Sequence, residues 1–161
     1  MIDALLNTAK QFRGVREEDG NRGIVPDFVN WWIGRDMRDY PMGLKGAPWC
    51  STWVNTVGRL ALGADWPVPI GAAFSDVDKM VDWAKAKGCW YTEPHDGDLF
   101  CIRKGDGYGH IGIVVRVEAM GEFRSVEGNT NDDGSFNGNG VYERVRETSQ
   151  CGFIRWTEVT P

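Results

Sequence analysis

The chain is poor in the residues that most often carry chemistry, and each scarcity excludes something. It holds two histidines, His95 and His110, in 161 residues. Its four cysteines, Cys50, Cys89, Cys101 and Cys151, lie far apart with no Cys-x-x-Cys pair. A structural zinc site needs closely spaced pairs of such ligands, so the spacing argues against one. A chain made in a reducing cytosol keeps scattered thiols free, so no disulfide is expected. No stretch approaches the roughly 18 consecutive apolar residues of a membrane span. The opening "MIDALLNTAKQFRG" carries an early Asp3 and lacks the apolar centre of a secretory signal. Positive charge is in deficit, with 18 Lys and Arg against 23 Asp and Glu and a net charge of −5. That balance opposes binding to nucleic acid or simple adsorption to an anionic membrane.

What is abundant is tryptophan, with eight, and glycine, with 21. The mix points to aromatic-lined grooves and tight turns. The length suits one domain, over 1–161, with one core. In the first half, Ile2, Leu5, Leu6, Ala9 and Phe12 recur at helical spacing. "VPDFVNWWIG" reads as a short helix with Pro26 near its first turn and Gly34 as its stop. Trp53, Val54, Val57, Leu60 and Ala61 give a third stripe after Cys50, ended by Gly63. Val77, Met80, Val81 and Ala84 give a fourth, headed by a capping-box-like Ser75–Asp78 pair. The second half changes period. "DLFCIR", "HIGIVVRV", "FRSVE", "VYERVR" and "CGFIRW" are short, rich in β-branched and aromatic residues, and separated by Gly, Asp and Asn. Helices followed by an antiparallel strand meander define an α+β fold.

Cys50 sits where "GAPW" gives way to a helix. At a helix start, unpaired backbone N–H groups and the positive end of the helix dipole favour the thiolate, the nucleophilic form of cysteine. A small buried hydrophobe is the alternative role for such a residue. A nucleophile needs a base. His95 lies in the turn "TEPHDGD", where a solvated side chain is expected. His110 opens the apolar strand "HIGIVV", a place where an imidazole is both oriented and exposed. The base in turn needs an orienting group. Glu127 and Asn129 end the next strand two residues apart, so they share a face, and either is able to reach the imidazole of a paired strand.

Taken together and in order, "PWCSTWVN", "DGDLFCI", "GHIGIVV" and "VEGNTN" resemble the CHAP domain family. These are cysteine, histidine-dependent amidohydrolases and peptidases of the papain-like, NlpC/P60-like group that cleave peptidoglycan. The resemblance runs from about Gly14 to Trp156. It implies Cys50 as nucleophile, His110 as general base, and Glu127 and Asn129 as the residues that orient the histidine and complete the site. It also implies helices packed on an antiparallel sheet with the cysteine heading a helix. Many members place glutamine before the cysteine. Here that residue is Trp49, which leaves the Cys50 backbone N–H as one oxyanion donor. The Pro-Trp-Cys order resembles a branch found among phage and bacterial cell-wall enzymes. Trp31, Trp32, Trp49, Trp53 and Tyr108 are candidates to line a substrate groove, with core packing as the competing role.

Some members carry an acidic calcium loop before the cysteine. The corresponding segment here has only Asp36 and Asp39. "NTNDDGSFNGNG", residues 129–140, partly follows an EF-hand order but ends in Gly140 where a bidentate Glu belongs. A glycine-asparagine connection between strands is the expected role of that loop, and no metal or cofactor is expected. The resemblance makes peptidoglycan the expected partner of a monomeric enzyme. Without a leader, such a protein would be made in the host cytoplasm and reach the wall through a holin or a secretion system. Two other functions fit the same residues: an antibacterial amidase toxin delivered to a rival's periplasm, and a non-catalytic wall-binding module.

Overall fold

A computed structural model gives the fold of residues 1–17, 48–69, 76–130 and 138–159. The helix expected around Pro26 to Gly34, the tryptophans Trp31 and Trp32, Asp36, Asp39, Ser75 and the centre of the 129–140 loop lie outside the described residues.

Among the described residues, three α-helices follow the apolar stripes. In α1 (Ile2–Gln11), Leu5 and Ala9 are one turn apart and fully buried, and Ile2, Leu6 and Phe12 lean on the same core. In α2 (Cys50–Leu62), every residue from Cys50 to Gly58 is buried. A helix enclosed on all sides is a core element rather than a surface one. It packs against α1, β3 and β4. Its polar side chains find partners: the Thr56 hydroxyl donates to the Thr52 carbonyl at 2.8 Å, and Asn55 accepts from the Trp66 indole at 3.0 Å. Gly63 ends it at φ 58, the left-handed conformation that a Cβ resists. In α3 (Val77–Ala86), Val77, Met80, Val81 and Ala84 form the buried stripe. The cap of α3 differs from the expected Ser75–Asp78 pair. Asp76 is the N-cap, and its carboxylate accepts from the Asp78 N–H at 3.0 Å. Aspartate performs the capping task as well as serine, so the helix starts later than the serine suggests.

Six strands form one sheet: β1 (Trp90–Tyr91), β2 (Leu99–Lys104), β3 (Gly107–Val117), β4 (Glu122–Thr130), β5 (Gly140–Glu147) and β6 (Cys151–Ile154). Their spatial order is β1-β6-β2-β3-β4-β5, antiparallel throughout. Strands β2 to β5 make the expected meander, while β6 returns to pair with β2 and carries β1 on its other edge. Strand β3 begins before His110, because Gly107 and Tyr108 pair with Lys104 and Arg103 across a tight turn at Gly105. Ladder hydrogen bonds outweigh the poor strand propensity of glycine there.

The pleat sorts side chains onto two faces. Leu99, Cys101, Ile111, Ile113 and Val126 join the core under the helices. Phe100, Ile102, Val114, Phe123, Cys151 and Phe153 form a second cluster on the opposite face. His110 and Glu127 alternate with Ile111 and Val126, which sets both on the side of Phe100.

Candidate active site

Cys50 is the first residue of α2 and follows Trp49, its N-cap. Among the described residues no side chain caps this end, and the backbone N–H of Cys50 lies at the positive end of the helix dipole. The turn is fixed from behind. The Trp49 indole N–H donates to Glu17 at 2.6 Å, and the Thr52 hydroxyl donates to the Trp49 carbonyl at 3.1 Å.

His110 stands opposite Ile102 in β3, beside a bulge in which Gly109 is the extra residue. Such bulges re-aim the neighbouring side chain. Its Nε2 lies 2.9 Å from Glu127 Oε2, and the Cys50 thiol stands close enough to the ring to raise its proton affinity. With Nε2 engaged by Glu127, Nδ1 is the nitrogen that remains for sulfur. The expectation of an exposed imidazole is corrected: His110 is 0% exposed, and Cys50 beside it is 4% exposed. The ring packs with Phe100 at 6.2 Å between centroids, and burial accompanies its orientation.

Glu127 is fully buried and accepts four hydrogen bonds. Ser125 Oγ donates to Oε1 at 2.5 Å, Arg146 Nε to Oε1 at 2.8 Å, Arg146 Nη2 to Oε2 at 2.6 Å, and His110 Nε2 meets Oε2. Gly112 makes room for this side chain, since a Cβ there would stand 2.9 Å from Glu127 Cγ and 2.6 Å from the Phe100 ring. Burial alone pushes the Glu127 carboxyl up, but the hydrogen bonds from Arg146 and His110 outweigh it and hold the pKa at about 2. Burial alone pulls the His110 imidazole down, but the neighbouring Cys50 and the hydrogen bond to Glu127 outweigh it and lift the pKa to about 9. The arrangement therefore favours a carboxylate at Glu127 and an imidazolium at His110, the partner a thiolate requires.

Asn129 departs from the shared-face expectation. A register shift between Glu127 and Thr130, with Asn129 at φ 58, breaks the two-residue alternation. Asparagine tolerates that left-handed conformation better than most residues. Its backbone carbonyl accepts from Gly138, while its amide is fully buried with no hydrogen-bond partner on either atom among the described residues. Glu127, not Asn129, is the residue that reaches the imidazole.

Of the aromatic residues expected at a groove, Trp49 and Trp53 have no exposed surface. The Trp53 indole packs so closely on Gly128 that a Cβ there would lie 2.7 Å away. Tyr108 is half-buried, with its N–H held by Asp78 at 2.8 Å. Its ring meets Trp90 edge-on at 5.2 Å and has Lys85 and Arg103 within 5.9 Å. His95 is exposed in its turn and takes no part in the pair.

Arg146 and Ser125 were not singled out in the sequence. Their signal is positional: Ser125 lies two residues before Glu127 on the same strand face, and "VYERVR" alternates Arg144 and Arg146 toward the sheet interior. A buried carboxylate calls for a cation, and β5 is the neighbour that supplies it. Among the described residues, no three His, Cys, Asp or Glu side chains converge as metal ligands.

No curated protein matches the chain, and no solved structure matches it. The family model of the CHAP domain matches residues 40–129, a span that contains Cys50, His110, Glu127 and Asn129. The match covers more than half of the chain and holds both the helix start at Cys50 and the strand that carries His110, so the chain belongs to the CHAP domain family of peptidoglycan amidases and peptidases.

Proposed function

We propose that the chain hydrolyses an amide bond of peptidoglycan through a Cys50 thioester. The observation that carries this reading is the buried line Cys50–His110–Glu127, closed by Arg146. His110 takes the thiol proton at Nδ1, and Glu127 holds the resulting imidazolium through Nε2. The thiolate attacks the amide carbonyl, and backbone N–H groups at the start of α2 receive the oxyanion. Collapse of the tetrahedral intermediate breaks the C–N bond as His110 returns the proton to the leaving amine. Water, deprotonated by the same imidazole, then cleaves the thioester and restores the thiol. Asn129 completes the site, and its buried amide, unpartnered among the described residues, supports that role. Tyr108, two residues from His110 and half-buried, is placed against the substrate, with Trp49 and Trp53 behind the nucleophile.

The bond is either the amide joining muramic acid to L-Ala or a peptide bond of the stem or cross-bridge. Digestion of purified peptidoglycan followed by mass spectrometry tests the reading. Products each carrying one added water across a single amide are expected, and their new termini identify the bond. An unchanged muropeptide profile with folded protein would overturn hydrolysis.

Metal plays no part in these steps. The residues 129–140 contribute only Asp132 and Asp133 as charged donors, and a hard cation needs several oxygen ligands with charge to offset its dehydration. EDTA is expected to leave activity unchanged. Loss in EDTA that calcium restores would show that backbone carbonyls build an ion site.

A further inference from the structure

Among the described residues, Glu127 has one cationic partner besides the histidine it orients. Arg146 grips both of its oxygens, Nε on Oε1 at 2.8 Å and Nη2 on Oε2 at 2.6 Å. A guanidinium holding a carboxylate side-on in two bonds fixes the plane of that carboxylate, which a point charge does not. The plane decides which oxygen faces His110. Arg146 is 14% exposed, so its charge is screened little by solvent. The other groups around the pair are Cys50 from α2, Arg144 on β5 opposite Ser125, Cys151 on β6 and, beside Cys151, Arg103 on β2. Arg146 is thus the cation in direct contact with the carboxylate.

We propose that Arg146 is a positioning residue of this site: its fork sets the direction of Glu127 and hence of the His110 ring, and its charge sets the pH window in which the pair is correctly protonated. The proposal rests on the hydrolytic reading above for its effect on rate, but not for its effect on His110. Electrostatics gives the sign. Removing a buried positive charge raises the proton affinity of the groups beside it, so Glu127 and His110 both shift upward. A loss of mere packing would lower activity without moving either limb of the pH profile.

The test uses the full chain with Arg146→Met and Arg146→Lys, read by hydrolysis of purified peptidoglycan against pH and by NMR titration of the imidazoles. With two histidines, one exposed and one buried, the His110 signal is identifiable. Arg146→Met is expected to move both limbs and the His110 titration to higher pH by about one unit, a roughly tenfold change in proton affinity. Arg146→Lys keeps the charge and breaks the fork. Its limbs are expected to stay in place while kcat falls by about tenfold at unchanged KM. Unmoved limbs and an unmoved His110 titration in Arg146→Met overturn the proposal. If that variant does not fold, wild-type kcat in Arg146→Lys overturns it. If the wild-type chain hydrolyses no peptidoglycan, the His110 titration still decides the role of Arg146, and only the reaction assigned to the site fails.

Discussion

Cys50→Ala is expected to abolish hydrolysis, by at least about 10⁴-fold, while costing only about 1 kcal/mol of stability. The change removes one sulfur atom from a site at a helix start and leaves the helix, its N-cap and the His110–Glu127 pair in place. No other thiol is able to substitute. Burial raises Cys89 above its ordinary value, raises Cys101 well above it, and pushes Cys151 up to about 12. Of the four, only Cys50 opens a helix and lies beside the His110 imidazole. Iodoacetamide near neutral pH is therefore expected to inactivate the wild type with a single label, on Cys50. Peptide mapping and a turbidity assay on the purified variant check both halves. Lysis by Cys50→Ala, or inactivation with the label on Cys89, Cys101 or Cys151, would remove Cys50 from the role of nucleophile.

How far the sequence reaches toward this site depends on the range of the interactions involved. Local signals were sufficient for α2, because the apolar stripe from Trp53 and the stop at Gly63 lie within one element. They were sufficient for five of the six strands, since alternation and turn residues are adjacent in sequence, but not for the two-residue β1 (Trp90–Tyr91), too short to alternate. The partner of Glu127 was not legible as a particular residue, because Arg146 meets it across β4 and β5 at a separation of 19 residues. Register decides that meeting, and register depends on a bulge that no local pattern announces. The same bulge turns Asn129 away from the face it shares with Glu127 in an ideal strand. The return of β6 to pair with β2 is likewise a choice among strand orders that alternation leaves equal. The burial of Cys50 and His110 comes from tertiary packing on Phe100 and α2, which lies beyond any single segment.

The second large effect is expected at the His110–Glu127 pair, where catalysis and stability separate. His110→Ala removes the base and is expected to cost roughly a hundredfold more activity than Glu127→Gln, which leaves the base but not its orientation. Stability should rank the other way. Glu127→Gln leaves Arg146 largely buried without its counter-charge, and breaking a buried ion pair from one side costs about 3 kcal/mol. The size of that loss should depend on pH. Glu127 has its pKa lowered from 4.5 to about 2, so its contribution is full above 4.5 and is lost as pH falls through about 2. His110 has its pKa raised from 6.5 to about 9, so its contribution is full below 6.5 and is lost as pH rises through about 9. Both are whole only between about pH 4.5 and 6.5. Urea unfolding of wild type and Glu127→Gln at pH 3, 5.5 and 9 should therefore show the largest stability difference at the middle value. A difference that stays constant across the three would mean that Glu127 and His110 are not an ion pair in the folded protein. The imidazole would then be neutral at rest and would have to take its proton from Cys50 only when substrate is bound.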